Sequence, residues 1–151
     1  MEVLDLSDNL IDDASSLGPL LKIRSLKQLY LSSNKFGAES ESSFFSALAA
    51  SRSLEFLAVD LNPLSIGFAK ALLAALKQNS TVIRIGILIV GVPVKMISQI
   101  RHAVAMNDAG RQWWQENPER SELMARVLAR SSTELSILYG LLRTKPAILL
   151  R

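Results

Sequence analysis

Three stretches of this chain place the same residue types at the same intervals. Met1, Leu4, Leu6, Asn9 and Ile11 are matched by Leu26, Leu29, Leu31, Asn34 and Phe36, and again by Leu54, Leu57, Val59, Asn62 and Leu64. The shared pattern is L-x-x-L-x-L-x-x-N-x-L. A worn fourth copy runs through Val82, Ile85, Ile87 and Val92, with Val90 at the asparagine position. Successive copies start 25, 28 and 28 residues apart. A period of this size makes each copy one strand-and-crossover unit that cannot bury its own apolar face, so the units must stack to share a core.

Each copy opens with alternation. In Leu29-Tyr30-Leu31 the leucines point to one side and the tyrosine to the other, as a strand requires. Roughly 20 residues separate one such segment from the next, too many for a hairpin, so the chain must cross back and the strands must be parallel. The crossovers carry helical spacing: Phe44, Phe45, Leu48, Ala49; then Phe68, Ala69, Leu72, Leu73, Leu76; then Met96, Ile97, Ile100, Val104. The first crossover, residues 12–24, is shorter and contains Gly18-Pro19, which predicts a broken or single-turn helix. Asp12 and Asp13 suit its N-terminus, where unpaired N–H groups want an acceptor. Where each strand ends, Asn9, Asn34 and Asn62 can both donate to and accept from turn backbone inside the stack, which predicts a ladder of asparagines. Val90 cannot do this.

With these residues in view, the chain resembles the ribonuclease-inhibitor-like class of leucine-rich repeats over residues 1 to about 106. The stretch from Asn62-Pro63-Leu64 through Gly67-Phe68 to Leu72 is similar to that class's turn and helix start. The resemblance implies an α/β leucine-rich-repeat solenoid: a horseshoe arc of about four parallel strands on the concave side, with helices on the convex side. It implies a binding surface and no catalytic centre. The departures from the class are Val90 and the short first repeat. The expected organisation is residues 1–110 as four repeats and residues 111–151 as a helical C-terminal cap.

Composition narrows the function classes. Hydrophobic residues make up 49% and charged residues 21%, which suits an ordered globular chain. There is no cysteine, hence no disulfide framework and no thiolate metal site. No basic flank leads into an apolar run at the N-terminus, and the longest apolar run, residues 85–94, is about half of what a bilayer crossing needs. These features predict a cytoplasmic chain with no membrane contact. The net charge of +3 comes from residues 111–151, with seven basic and four acidic side chains, since residues 1–110 carry ten of each. A mixed helical tail of this kind reads as a solvated face, and nucleic acid is not an expected partner.

The two ends pose different problems. Met1 occupies the first leucine position of a repeat, so the strand within residues 1–8 would present an open edge. The expectation is a preceding repeat in a longer protein, or pairing at that edge. At the other end, Asn117-Pro118-Glu119 opens one helix and Ser131 with Glu134 opens another. With Trp113 or Trp114 this pair would cover the stack, and its Arg120, Arg126 and Arg130 offer an alternative docking surface.

The outward strand positions are Val3, Asp5 and Ser7; Gln28, Tyr30 and Ser32; Phe56, Ala58 and Asp60; and Arg84, Gly86 and Leu88. Gln28, Tyr30, Phe56, Asp60 and Arg84 are the candidate partner-binding residues, because aromatic and arginine side chains dominate binding energetics. Enzyme readings find no support. His102 is a lone histidine with no neighbouring ligand or nucleophile, and no glycine-rich phosphate loop or metal set is present, so no cofactor is expected. Asn79-Ser80-Thr81 matches a glycosylation sequon but falls where a helix turns into the next strand. The expected function is non-enzymatic protein–protein interaction. The alternatives are a GTPase-activating regulator of the Ran-activator type, which resembles this repeat class but carries an acidic tail, and the sensor portion of an immune-type receptor.

Overall fold

The structure is a computed structural model and describes residues 1–35, 37, 42–88 and 92–111. The expectations placed on Phe36, Val90 and residues 112–151, including the tail helices and both tryptophans, lie outside them. Four strands, β1 (Val3–Asp5), β2 (Gln28–Tyr30), β3 (Phe56–Ala58) and β4 (Arg84–Gly86), form one sheet in the order β1-β2-β3-β4. All three pairings are parallel. The register aligns Leu4, Leu29, Leu57 and Ile85 in one row, the second leucine of each copy. Hydrogen bonds carry the ladder one step past the strands, from Leu6 N–H to Tyr30 O, Leu31 N–H to Ala58 O and Val59 N–H to Gly86 O.

Between the strands run a 3₁₀ helix (Ser15–Lys22) and α1 (Ser42–Ala50), α2 (Ile66–Gln78) and α3 (Val94–Asp108), each packed against the next. One face of the sheet and one stripe of every helix meet in a single core. Leu29, Leu31, Leu54, Leu57, Val59, Phe44, Leu48, Phe68, Leu72, Leu76 and Ile100 are fully buried within it. Each aliphatic side chain of this kind contributes about 1.5–3 kcal/mol of hydrophobic stabilisation. Phe45 links neighbouring helices, standing edge-on to Phe44 at 5.6 Å and to Phe68 at 4.9 Å.

Of the two forms expected for the first crossover, a broken or a single-turn helix, neither is a regular α-helix, and the structure has eight residues of 3₁₀ helix there. The reason is geometric. A 3₁₀ helix rises about 2.0 Å per residue against about 1.5 Å for an α-helix, so eight residues cover nearly the span of α2 with fewer residues. That reconciles a 25-residue spacing with an unbroken sheet register. Pro19 lies inside this helix. Asp13 accepts hydrogen bonds from both the backbone N–H and the hydroxyl of Ser15 just ahead of it. Asp12 is exposed.

The turns after the strands repeat in detail. Asp8, Ser33 and Leu61, each one residue before a repeat asparagine, all adopt left-handed backbone with φ of 56–57°. For Leu61 this conformation costs roughly 1 kcal/mol or more. Further along, Gly37 has φ 152° and lies so close to the third unit that a Cβ would fall 2.4 Å from Pro63 O, so only glycine fits there.

Candidate protein-binding face

The leucines of the sheet point into the helix layer, so the alternate residues line the opposite, open face. Register places Val3, Gln28, Phe56 and Arg84 in one row across it, and Asp5, Tyr30, Ala58 and Gly86 in the next. With strands about 4.8 Å apart, Gln28 and Arg84 stand roughly 10 Å from each other with Phe56 between them. Tyr30 reaches Phe56 on the diagonal, ring centroids 5.0 Å apart and tilted by 57°. The Tyr30 hydroxyl donates to Gln28 Oε1 at 3.0 Å. From the other side the Arg84 guanidinium lies over the Phe56 ring, 5.6 Å from its centroid. Four of the five residues singled out from the sequence therefore form one contiguous cluster.

Asp60 completes the group from the turn side. Its carboxylate leans across onto β4, over Gly86, where a Cβ would meet Asp60 Oδ2 at 2.5 Å. The small residues matter here: Ala58 is 4% exposed beneath the larger side chains, and Gly86 leaves the place the carboxylate occupies. Asp60 and Arg84 form no ion pair, with each other or with any other described residue. Toward the first unit, Asp5 accepts a hydrogen bond from Ser7 N–H at 2.9 Å, which lowers its pKa below the ordinary carboxylate value. Just below the open face Lys27 and Glu55, 28 residues apart, pair at 2.6 Å across β2 and β3. Both are half-exposed, so the pair contributes about 1 kcal/mol or less.

The face is held from behind by the turn asparagines. Asn34 Nδ2 lies within 2.9–3.2 Å of the carbonyls of Leu6, Leu31 and Ser32, and its Oδ1 accepts from Ile11 N–H. Asn62 repeats this one unit on: Nδ2 reaches Leu31, Val59 and Asp60 carbonyls, and Oδ1 accepts from Asn34 N–H. Each amide thus ties its own strand end to the preceding unit. Asn9 makes only the local half of the set, to Leu6 O and Ser7 O, and is exposed.

A second polar ladder lies on the helix side. The repeat signature does not include it, although Ser51, Asn79 and Asn107 share the 28-residue spacing. Asn79 is fully buried at the end of α2. Its Nδ2 donates to Leu48 O and Ser51 O at the end of α1, and its Oδ1 accepts from Thr81 and Val82 N–H. The sequon nitrogen is therefore occupied and enclosed, which agrees with the reading of Asn79 as a helix-to-strand turn. Arg111 caps α2 from outside, donating to the carbonyls of Leu76, Lys77, Asn79 and Ala103. Burial lowers its pKa. His102 is half-buried on α3. Among the described residues no group of three His, Cys, Asp or Glu side chains could hold a metal ion, and no helix is long and apolar enough to cross a membrane.

No family model matches this chain, and no curated protein matches it. Among solved structures the fold is similar to that of Leiomodin-1 Actin-Binding Site 2, with a TM-score of 0.60 over 80% of this chain and 73% of that one, at 17% identity. At that identity the likeness concerns the fold alone.

Proposed function

We propose that this chain is a non-enzymatic protein-binding module built on a leucine-rich-repeat solenoid, and that it binds through the open face of its sheet. One observation carries the reading: Gln28, Tyr30, Phe56 and Arg84 are already assembled into a contiguous, half-exposed aromatic and cationic cluster. Such a cluster is laid out for contact at little ordering cost, because rings on short, fixed strands have few rotamers to lose. Aromatic and arginine anchors of this kind carry most of the energy in protein interfaces. The 28-residue register, the parallel strands and the asparagine hydrogen bonds support the repeat scaffold beneath it.

Actin is the first partner to test, because the Leiomodin-1 structure with the similar fold is an actin-binding site. The decisive experiment immobilises the 151-residue chain and compares it with Tyr30→Ala and Phe56→Ala, both against purified actin and by affinity capture. The expected result is a saturable protein ligand whose affinity falls at least about tenfold in each variant, with unchanged thermal unfolding. Equal affinity in both variants would exclude the open face. Acceleration of GTP hydrolysis by a small GTPase would overturn the non-enzymatic reading.

A further inference from the structure

The charges on the open face are arranged in a way that specifies more than a protein partner in general. Arg84 belongs to β4 but lays its guanidinium over Phe56 of β3. Asp60 follows β3 but lays its carboxylate over Gly86 of β4. The two side chains cross between neighbouring strands in opposite senses. One ends at the level of the Phe56–Arg84 row and the other at the level of the Ala58–Gly86 row, two residues and so about 7 Å further along the strands. A cation stacked on a ring keeps its N–H edge free for an acceptor. A carboxylate resting on bare glycine keeps its lone pairs free for donors, and among the described residues none donates to Asp60. Two opposite charges thus stand side by side on an exposed face, and no described residue neutralises either.

We propose that this crossed pair recognises a segment of a protein partner that presents one acidic and one basic side chain to the sheet, the acid to Arg84 and the base to Asp60. In an extended segment, residues i and i+2 face the same side at about the required separation. The aliphatic stems of both side chains lie against Tyr30 and Phe56. A segment with two like charges leaves one of the chain's charges unpaired and sets the other partner charge against its own sign, which makes the site discriminate by repulsion as well as attraction. Gly86 is the position that permits this geometry. It does not have left-handed backbone, so alanine is not strained there, but the new methyl group displaces the end of the flexible Asp60 side chain and presses on Ala58, whose Cβ it would meet at 3.2 Å.

This inference rests on the protein-binding reading above and is tested separately from it. The isotope-labelled 151-residue chain is titrated with short synthetic peptides that share apolar flanks and differ only in their core: Glu-x-Lys, Lys-x-Glu, Glu-x-Glu or Lys-x-Lys. At least one opposite-charge peptide is expected to shift the Phe56 and Gly86 amide signals and to bind on the order of tenfold more tightly than either like-charge peptide at low salt. Asp60→Asn and Arg84→Gln should each remove most of that preference without changing thermal unfolding, and Gly86→Ala should remove it with a small loss of stability from the contact with Ala58. Equal binding of all cores, shifts confined to other residues, or no binding would overturn the proposal. A protein ligand weakened by Tyr30→Ala and Phe56→Ala, yet indifferent to Asp60→Asn, Arg84→Gln and Gly86→Ala, would overturn the charge reading and leave the protein-binding reading standing. Indifference to all of these substitutions would remove both.

Discussion

The inner units and the last described one solve the same problem in different ways. At the end of α1 the carbonyls of Leu48 and Ser51 are satisfied by Asn79 of the following unit. Twenty-eight residues later the equivalent carbonyls, Leu76 and Asn79, are satisfied by Arg111. Asn107, which by repeat spacing should serve them, donates instead to Val82 O. Its Oδ1 has no hydrogen-bond partner although the residue is only 4% exposed. The cause is the course of the chain. After Asn79 the backbone turns into β4 and offers Thr81 and Val82 N–H to the amide oxygen. After Asn107 the helix closes at Asp108 in a turn through Ala109 and Gly110 (φ 89°), whose N–H groups donate to Ala105 O and Asn107 O, so no described N–H comes round to the Asn107 amide oxygen. The contrast teaches that the asparagine is a device for joining units. Where no described N–H reaches the amide oxygen, a long cationic side chain caps the preceding helix end in its place.

The contrast can be broken or sharpened by substitution. Asn79→Ala should have the largest effect, because it leaves the Thr81 and Val82 N–H groups without their acceptor, each worth about 1–3 kcal/mol when unsatisfied, and takes one donor each from Leu48 O and Ser51 O, which keep Ser51 N–H and Arg52. Partial entry of water reduces the sum to about 4 kcal/mol, measurable by urea unfolding. Arg111→Ala should cost about 2 kcal/mol, since it removes charge-assisted hydrogen bonds to carbonyls that water can then partly reach. Asn107→Ala should cost about 1 kcal/mol or less, because the loss of one bond to Val82 O is offset by removal of an unsatisfied buried oxygen. If Asn107→Ala proved as damaging as Asn79→Ala, the distinction between the Asn79 junction and the Asn107 position would fail. The smallest effect is expected in acid. Asp5 and Asp13 have pKa values lowered in the folded chain by hydrogen bonds from Ser7 and Ser15. A lowered folded value means that their contribution is fully present above the ordinary carboxylate pKa and is lost as pH falls through the lower folded value. NMR titration of both carboxyls should find them below the ordinary value, and Ser15→Ala should return Asp13 toward it.

How much of this is legible in the sequence depends on whether a residue acts within its own unit or across units. Strand parity alone assigns Gln28, Tyr30, Phe56 and Arg84 to the open face, and the constant spacing makes them neighbours, so the cluster can be read from the chain. Asn34 and Asn62 stand out because they belong to the repeat signature itself. The crossing of Asp60 and Arg84 cannot be read, because it depends on the space left by an absent Cβ at Gly86. Ser51, Asn79 and Asn107 carry the signal in their spacing, but a polar residue at a helix end also suits an ordinary turn, and nothing local marks it as a link between units. Arg111 is hidden for a plainer reason: a long side chain spends its hydrogen bonds 32–35 residues back in sequence as well as on the preceding helix, α3. The 3₁₀ crossover is legible only as an interruption, since Pro19 signals a break in α-helix without saying what replaces it.

Site-directed photo-crosslinking tests the central claim most directly. A photoreactive amino acid placed at Gln28 samples the open face, and one placed at the exposed Ala74 of α2 samples the helix layer. The account predicts that the protein ligand is crosslinked from position 28 and not from position 74. Crosslinks formed from position 74 alone would contradict it.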